Sequence, residues 1–118
     1  LVVGSRLGGH FVQGHVDGVG TVLKQGRQME VLLPLALQKY CVVKGSLAIN
    51  GVSLTIHSLT PHVTPEGLTA VAAFELVPFT LEHTNLKHLR ADSRVNLEVD
   101  LLARYAEKLW QPRLSQNH

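Results

Sequence analysis

Apolar and polar positions alternate with a period of two along most of the chain, and the alternation is broken at short intervals by turn residues. That pattern predicts strands with one buried face. Gly14–Lys24 and Gln28–Leu33 read as two strands joined by a hairpin turn at Gln25-Gly26-Arg27. Pro34–Tyr40 reads as one or two helical turns with proline at the start. Ser46–Ile49 is a short strand, and Asn50-Gly51 is a strong turn signal before the next. From Ser53 to Thr60 the residues alternate, with Ser53, Thr55 and His57 on one face and Leu54 and Ile56 on the other. His62–Gly67 reads as a loop because of Pro65 and Gly67, and Ala70–Leu76 as an apolar strand. Pro78–Thr84 is expected to form a short helix and Arg94–Val99 an alternating strand. Asp100 then precedes Leu101–Trp110, where Leu101, Leu102, Tyr105 and Leu109 share one helical face; the tail from Gln111 is polar and expected to fray.

Many short strands at close spacing imply an all-β fold: a small closed antiparallel Greek-key β-barrel with short helical turns and a C-terminal helix. The division expected is a barrel domain over residues 1–100, with the helix and tail over 101–118. A barrel this small is filled by its own side chains, so a ligand would sit at a mouth or rim.

Composition narrows the class. With 45% hydrophobic and 17% charged residues among 118, a packed core is feasible and disorder is not expected. No apolar run is long enough for a membrane helix, so no membrane partner is expected. The net charge is only +2, and the basic residues are scattered among few aromatics. A nucleic-acid interface is therefore not expected. The single cysteine, Cys41, lies in an apolar run and reads as a small buried hydrophobe; it fits a reducing compartment. The chain opens at Leu1 in mid-pattern and shows no charged-then-apolar leader, so it reads as a piece of a longer protein.

The chemistry is concentrated in two stretches. Gly8-Gly9-His10-Phe11-Val12-Gln13-Gly14-His15-Val16-Asp17-Gly18 holds four glycines and two histidines in eleven residues. Glycine lets a flat ligand approach the backbone, and histidine carries protons near neutral pH. Lys44-Gly45-Ser46-Leu47-Ala48-Ile49-Asn50-Gly51-Val52-Ser53-Leu54-Thr55 repeats the theme. Together they point to a strand edge shaped around a planar polar small molecule. His10 and His15 lack companions at metal-ligand spacing, so no metal site is expected.

These two stretches, with Val77-Pro78-Phe79-Thr80-Leu81-Glu82-His83-Thr84 and Arg94-Val95-Asn96-Leu97-Glu98-Val99-Asp100, resemble the riboflavin synthase family in order and spacing. Members of that family carry two similar barrels and a C-terminal helix, and this chain resembles the second barrel with the start of the helix. The resemblance implies dismutation of two 6,7-dimethyl-8-ribityllumazine molecules into riboflavin and 5-amino-6-ribitylaminouracil, without metal or organic cofactor. It implies a cytoplasmic homotrimer in which the first barrel of a neighbouring subunit completes each site. Of the catalytic residues it implies, His15 would move a methyl proton, Ser53 would position or add to the ring, and Asp100 would orient His15 or water. Asp100 reads equally as a helix N-cap. Substrate-binding positions implied are Gly14, His15, Val16, Lys44, Ser53, Leu54, Thr55, Glu75, Leu76, Val77, Pro78, Phe79 and Thr80. Glu75 or Thr80 would hydrogen-bond ribityl hydroxyls, and Lys44 would reach a ligand held by the neighbouring subunit. Phe79 stands where the family often has a polar or acidic residue, and its ring would cover the pteridine. The alternatives are a non-catalytic lumazine- or flavin-binding module and, more weakly, the flavin-binding barrel of a reductase, for which no nicotinamide-binding domain is visible.

Overall fold

A computed structural model describes residues 16–100 together with Tyr105, Lys108 and Leu109. Seven strands form one antiparallel sheet: β1 (Gly18–Lys24), β2 (Gln28–Leu32), β3 (Ser46–Ile49), β4 (Val52–Thr55), β5 (Ser58–Thr64), β6 (Gly67–Glu75) and β7 (Arg94–Val99). Their order in the sheet is β4-β3-β7-β1-β2-β6-β5. The two ends of that order, β4 and β5, are consecutive in the chain. The sheet therefore curls until one bent strand serves as both of its edges, and the ring closes.

The bend lies at Ile56 and His57. Ile56 is still bonded toward β3: its N–H donates to the Gly45 carbonyl and its carbonyl accepts from the Lys44 N–H, both at 2.8 Å. The next N–H, of His57, donates instead to the Ala73 carbonyl on β6 at 2.7 Å. Ser58 also pairs with Ala73. Two residues opposing one is a β-bulge, which bends a strand and increases its twist. A second bulge at Leu23 in β1, between the pairs Val22↔Val31 and Lys24↔Glu30, adds curvature on the opposite side of the ring.

The inside of the ring is apolar. Val22, Val31, Leu47, Ile49, Val52, Ile56 and Leu97 are fully buried there, with Phe74 and Met29 nearly so. Each such side chain contributes about 1.5–3 kcal/mol relative to exposure. Gly20 in β1 points inward where a Cβ would stand 2.9 Å from both Leu97 Cδ1 and Val31 Cγ1. Its lack of a side chain is what lets β7 and β2 pack across it.

The local elements follow their residues. Asn50 and Gly51 have φ of 49° and 86°, the doubly positive pair of a type I′ hairpin turn. The Asn50 side chain also accepts from the Asn96 N–H at 2.8 Å, tying the β3–β4 turn to β7. Leu35–Tyr40 forms a 3₁₀ turn after Pro34, and Pro78 opens the short helix α1 (Pro78–His83).

Two expectations are corrected. Ser53–Thr60 is not one strand, because the chain changes partner at the bend. His62–Gly67 is not a loop: β5 runs to Thr64, and only Pro65 and Glu66 turn between it and β6. Thr64 makes so short a turn workable, its hydroxyl accepting from the N–H groups of Glu66 and Gly67 and donating to the Gly67 carbonyl. A 3₁₀ turn over Asn85–His88, capped by Thr84, was not anticipated. The expected helix over 101–110 falls mostly outside the described residues; Tyr105, Lys108 and Leu109 within it are helical and exposed.

Candidate functional site

After the rung between His57 and Ala73, β4 and the end of β6 diverge. The space between them is a groove of about 200 Å³ lined by Ser53, Leu54, Thr55, Phe74, Glu75, Leu76, Val77 and Thr80. Seven of these eight were expected from sequence.

Strand geometry sets which backbone groups face the groove. In an antiparallel ladder, residues alternate between bonding one neighbour and facing away from it. Ile56 bonds β3, so Leu54 and Val52 do too. The N–H and C=O groups of Ser53 and Thr55 then point away from β3, in the direction in which the His57 N–H reaches β6. On the other wall, the Leu76 N–H donates to the Arg27 carbonyl at 2.7 Å, toward β2. The backbone groups of Glu75 accordingly point toward β4. The groove is thus a parted β-ladder with donors and acceptors of main chain on both walls. A flat heterocycle with its own donor and acceptor edge can enter as an extra rung, in the manner of strand addition.

Side chains finish the site. Leu54 is buried, and Phe74 is 1% exposed beneath the groove. Ser53 is half-buried and Thr55 exposed at the surface of β4. Thr80 comes from α1, placed over the end of β6 by the turn at Val77-Pro78; its carbonyl accepts from the Thr84 hydroxyl at 2.7 Å. Glu75 stands at the mouth, its Oε2 at 3.7 Å from Nε2 of His57. Glu75 and Leu76 also border a second, wider depression of about 440 Å³ against the β1–β2 hairpin, where Lys24 and Arg27 lie.

Other expected positions lie apart from this groove. Phe79 stacks on His83 with ring centroids 4.1 Å apart, and His83 Nδ1–H donates to the Phe79 carbonyl at 2.9 Å. This turns Phe79 out of the groove lining, and Pro78 is likewise not part of it. Lys44 sits at φ 74° in the turn before β3, where its N–H supports the bend. The pairs Leu47↔Val99 and Ser46↔Thr55 put Asp100 two strands from Thr55, about 10 Å at normal strand spacing. Asp17 joins β1 to the end of β7, its N–H donating to the Leu97 carbonyl and its carboxylate accepting from the Val99 N–H at 2.9 Å. Val16 precedes it and is exposed. Gly14 and His15 lie outside the described residues. Sequence reasoning missed Phe74 and His57. Phe74 reads as plain core in an apolar strand, and His57 comes to Glu75 only through the long-range pairing at the bend.

Cys41 is buried with its Sγ–H on the Leu37 carbonyl at 3.5 Å, and burial pushes its thiol up to about 11. It is a core residue.

The chain is thus of the class of small β-barrels with a backbone-lined groove at the rim. Residues 13–100 match the family model described as the lumazine binding domain, and the chain belongs to that family. It is 44% identical over 110 residues to a riboflavin synthase of Photobacterium leiognathi, an alignment covering 89% of this chain and 47% of the relative. It is 41% identical over 114 residues to a riboflavin synthase of Mycobacterium bovis, covering 91% and 53%. A riboflavin synthase of Bacillus subtilis is 32% identical over 110 residues, with 89% and 47% covered. The chain spans about half the length of the curated relatives it matches.

Proposed function

We propose that this chain is the C-terminal, lumazine-binding barrel of a riboflavin synthase, with a Greek-key barrel over residues 1–100 and a helix and tail over 101–118. In this reading it supplies half of each site for the dismutation of two 6,7-dimethyl-8-ribityllumazine molecules into riboflavin and 5-amino-6-ribitylaminouracil. The other half comes from the first barrel of a neighbouring subunit in a cytoplasmic homotrimer.

The observation that carries the reading is the groove between β4 and β6. It gathers most of the substrate-binding positions that the family resemblance implies, and its walls present main-chain donors and acceptors suited to a pyrimidinedione edge. Its volume supports the half-site assignment. Sites that enclose a whole drug-sized ligand run to about 300–1,000 Å³. A groove of about 200 Å³ is smaller than that, which fits a partial site.

The reaction asks little of side chains. The C7 methyl of the lumazine is acidic because its carbanion delocalises into the ring. The main tasks are to hold two rings face to face, an effect worth up to about 7–11 kcal/mol, and to stabilise the carbanion. His15 would carry the methyl proton. In the same reading Asp100 would orient His15 or water. Ser53 would meet the ring from β4.

Titration of the 118-residue chain with the lumazine, followed by fluorescence, with riboflavin assayed by chromatography over hours, tests the reading. Binding without riboflavin formation is expected, and addition of the first barrel should restore turnover. Absence of binding would overturn the ligand assignment. Sustained turnover by this chain alone would overturn the half-site. A two-barrel protein that binds without turnover would instead be a non-catalytic lumazine-binding module.

A further inference from the structure

Glu75 is the one ionisable side chain among the described residues that line the groove. It has two sets of neighbours. On the far side of its strand end, Lys24 and Arg27 border the 440 Å³ depression that Glu75 also lines. At the bend stands His57, outside the groove lining, with Nε2 facing Oε2 of Glu75 at 3.7 Å. Both side chains of this pair are 61% exposed, so it adds little to folding stability. Its effect is on direction: a carboxylate drawn to the cations would leave the groove mouth, and one drawn to His57 stays there.

The position of His57 is set by the fold. Its N–H is fixed on the Ala73 carbonyl, and the bulge it shares with Ser58 opposite Ala73 is the point at which the strand bends. The imidazole is anchored at the hinge of the two groove walls, one rung from Glu75. A small rotation brings an Nε2–H within hydrogen-bond reach of the carboxylate.

We infer that His57 is a positioning residue: it holds the Glu75 carboxylate at the groove mouth, where Glu75 accepts hydrogen bonds from the polyhydroxyl tail of the bound ligand. This rests on the lumazine-binding reading and extends it, by adding His57 to the tail-recognition role that the family resemblance implies for Glu75.

The test is a set of binding titrations on the 118-residue chain with two probes, 6,7-dimethyl-8-ribityllumazine and 6,7,8-trimethyllumazine, which lacks the tail. Glu75→Ala is expected to weaken the ribityl probe about tenfold and His57→Ala about threefold, the range of a lost hydrogen bond and a loosened one. The double variant should be no weaker than Glu75→Ala alone, because His57 acts through Glu75. Binding of the trimethyl probe should be unchanged throughout. His57→Gln, which retains an N–H donor, should restore affinity to within about twofold. Additive losses, equal losses for both probes, or an inert His57→Ala would each overturn the inference. If the wild-type chain binds neither probe, the lumazine-binding reading fails first and the role of His57 falls with it. Thermal melts of each variant confirm that a loss of binding is not a loss of fold.

Discussion

The His57 N–H and the Ala73 carbonyl, 2.7 Å apart, form the rung at which the ring of strands closes and from which the groove opens. On one side of it, β5 and β6 stay paired as far as the turn at Pro65-Glu66. On the other, β4 and β6 part, and their inward-looking amides are left to a ligand. Ring closure and binding-site formation are thus two results of the same bend.

Because the Thr55 N–H faces the groove and not β3, proline at this position removes no ladder bond. Thr55→Pro is expected to weaken lumazine binding by about five- to tenfold, the cost of one lost hydrogen bond, while lowering the melting temperature by only a few degrees. Parallel titration and calorimetry check this. A collapse of stability with Thr55→Pro would show that the amide is bonded to β3.

Phe74 serves both the core and the floor of the groove. Phe74→Ala is expected to cost about 3–5 kcal/mol, a large share of what holds a domain of this size together. Urea denaturation should show a sharply lower midpoint, and any folded fraction should bind lumazine poorly.

Much of this architecture was legible locally. The type I′ turn at Asn50-Gly51, the hairpin around Gly26, the helical turns after Pro34 and Pro78 and the strand ending at Val99 each carry their own turn residues or alternation. The β5–β6 hairpin was hidden because Pro65 and Gly67 look like loop residues. Pro61 is tolerated since the pairs Thr64↔Gly67 and His62↔Thr69 direct alternate residues at β6, leaving the Pro61 nitrogen on the strand's free edge. The bend at Ile56 and His57 has no local signal. It is dictated by the change of partner from Gly45 to Ala73, a long-range event, and for the same reason Glu75 and His57 were not seen as a pair. The groove residues themselves were legible through the family resemblance, not through periodicity.

Gly20 is expected to tolerate no side chain. In Gly20→Ala the new Cβ would stand 2.9 Å from two core side chains and 3.0 Å from the Leu32 carbonyl oxygen. A loss of about 1–3 kcal/mol, read by denaturant titration, is the expected result. A neutral substitution would mean that β7 and β2 pack less closely across β1.

Cys41 should resist alkylation by iodoacetamide at pH 8 in the folded protein and react once urea unfolds it. Its thiol is raised to about 11 from 9.0 by burial. The unfolded chain loses this proton first. The contribution to stability is therefore complete below pH 9 and is lost as pH climbs from there toward 11. Cys41→Ala should flatten that part of the pH–stability curve; an unchanged slope would assign it to other groups.

The bend also makes the groove sensitive to parity. The match between the inward amides of Thr55 and the rung at His57 depends on the two-residue step from one to the other. Inserting one residue at Ile56 would leave β4 paired to β3 with its inward amides unchanged, yet it would move His57 off its rung with Ala73 and shift β6 against β4. Length variation in the protein should therefore be accepted in the β1–β2 turn and excluded from the three residues Thr55-Ile56-His57, where a single codon would shift one groove wall against the other.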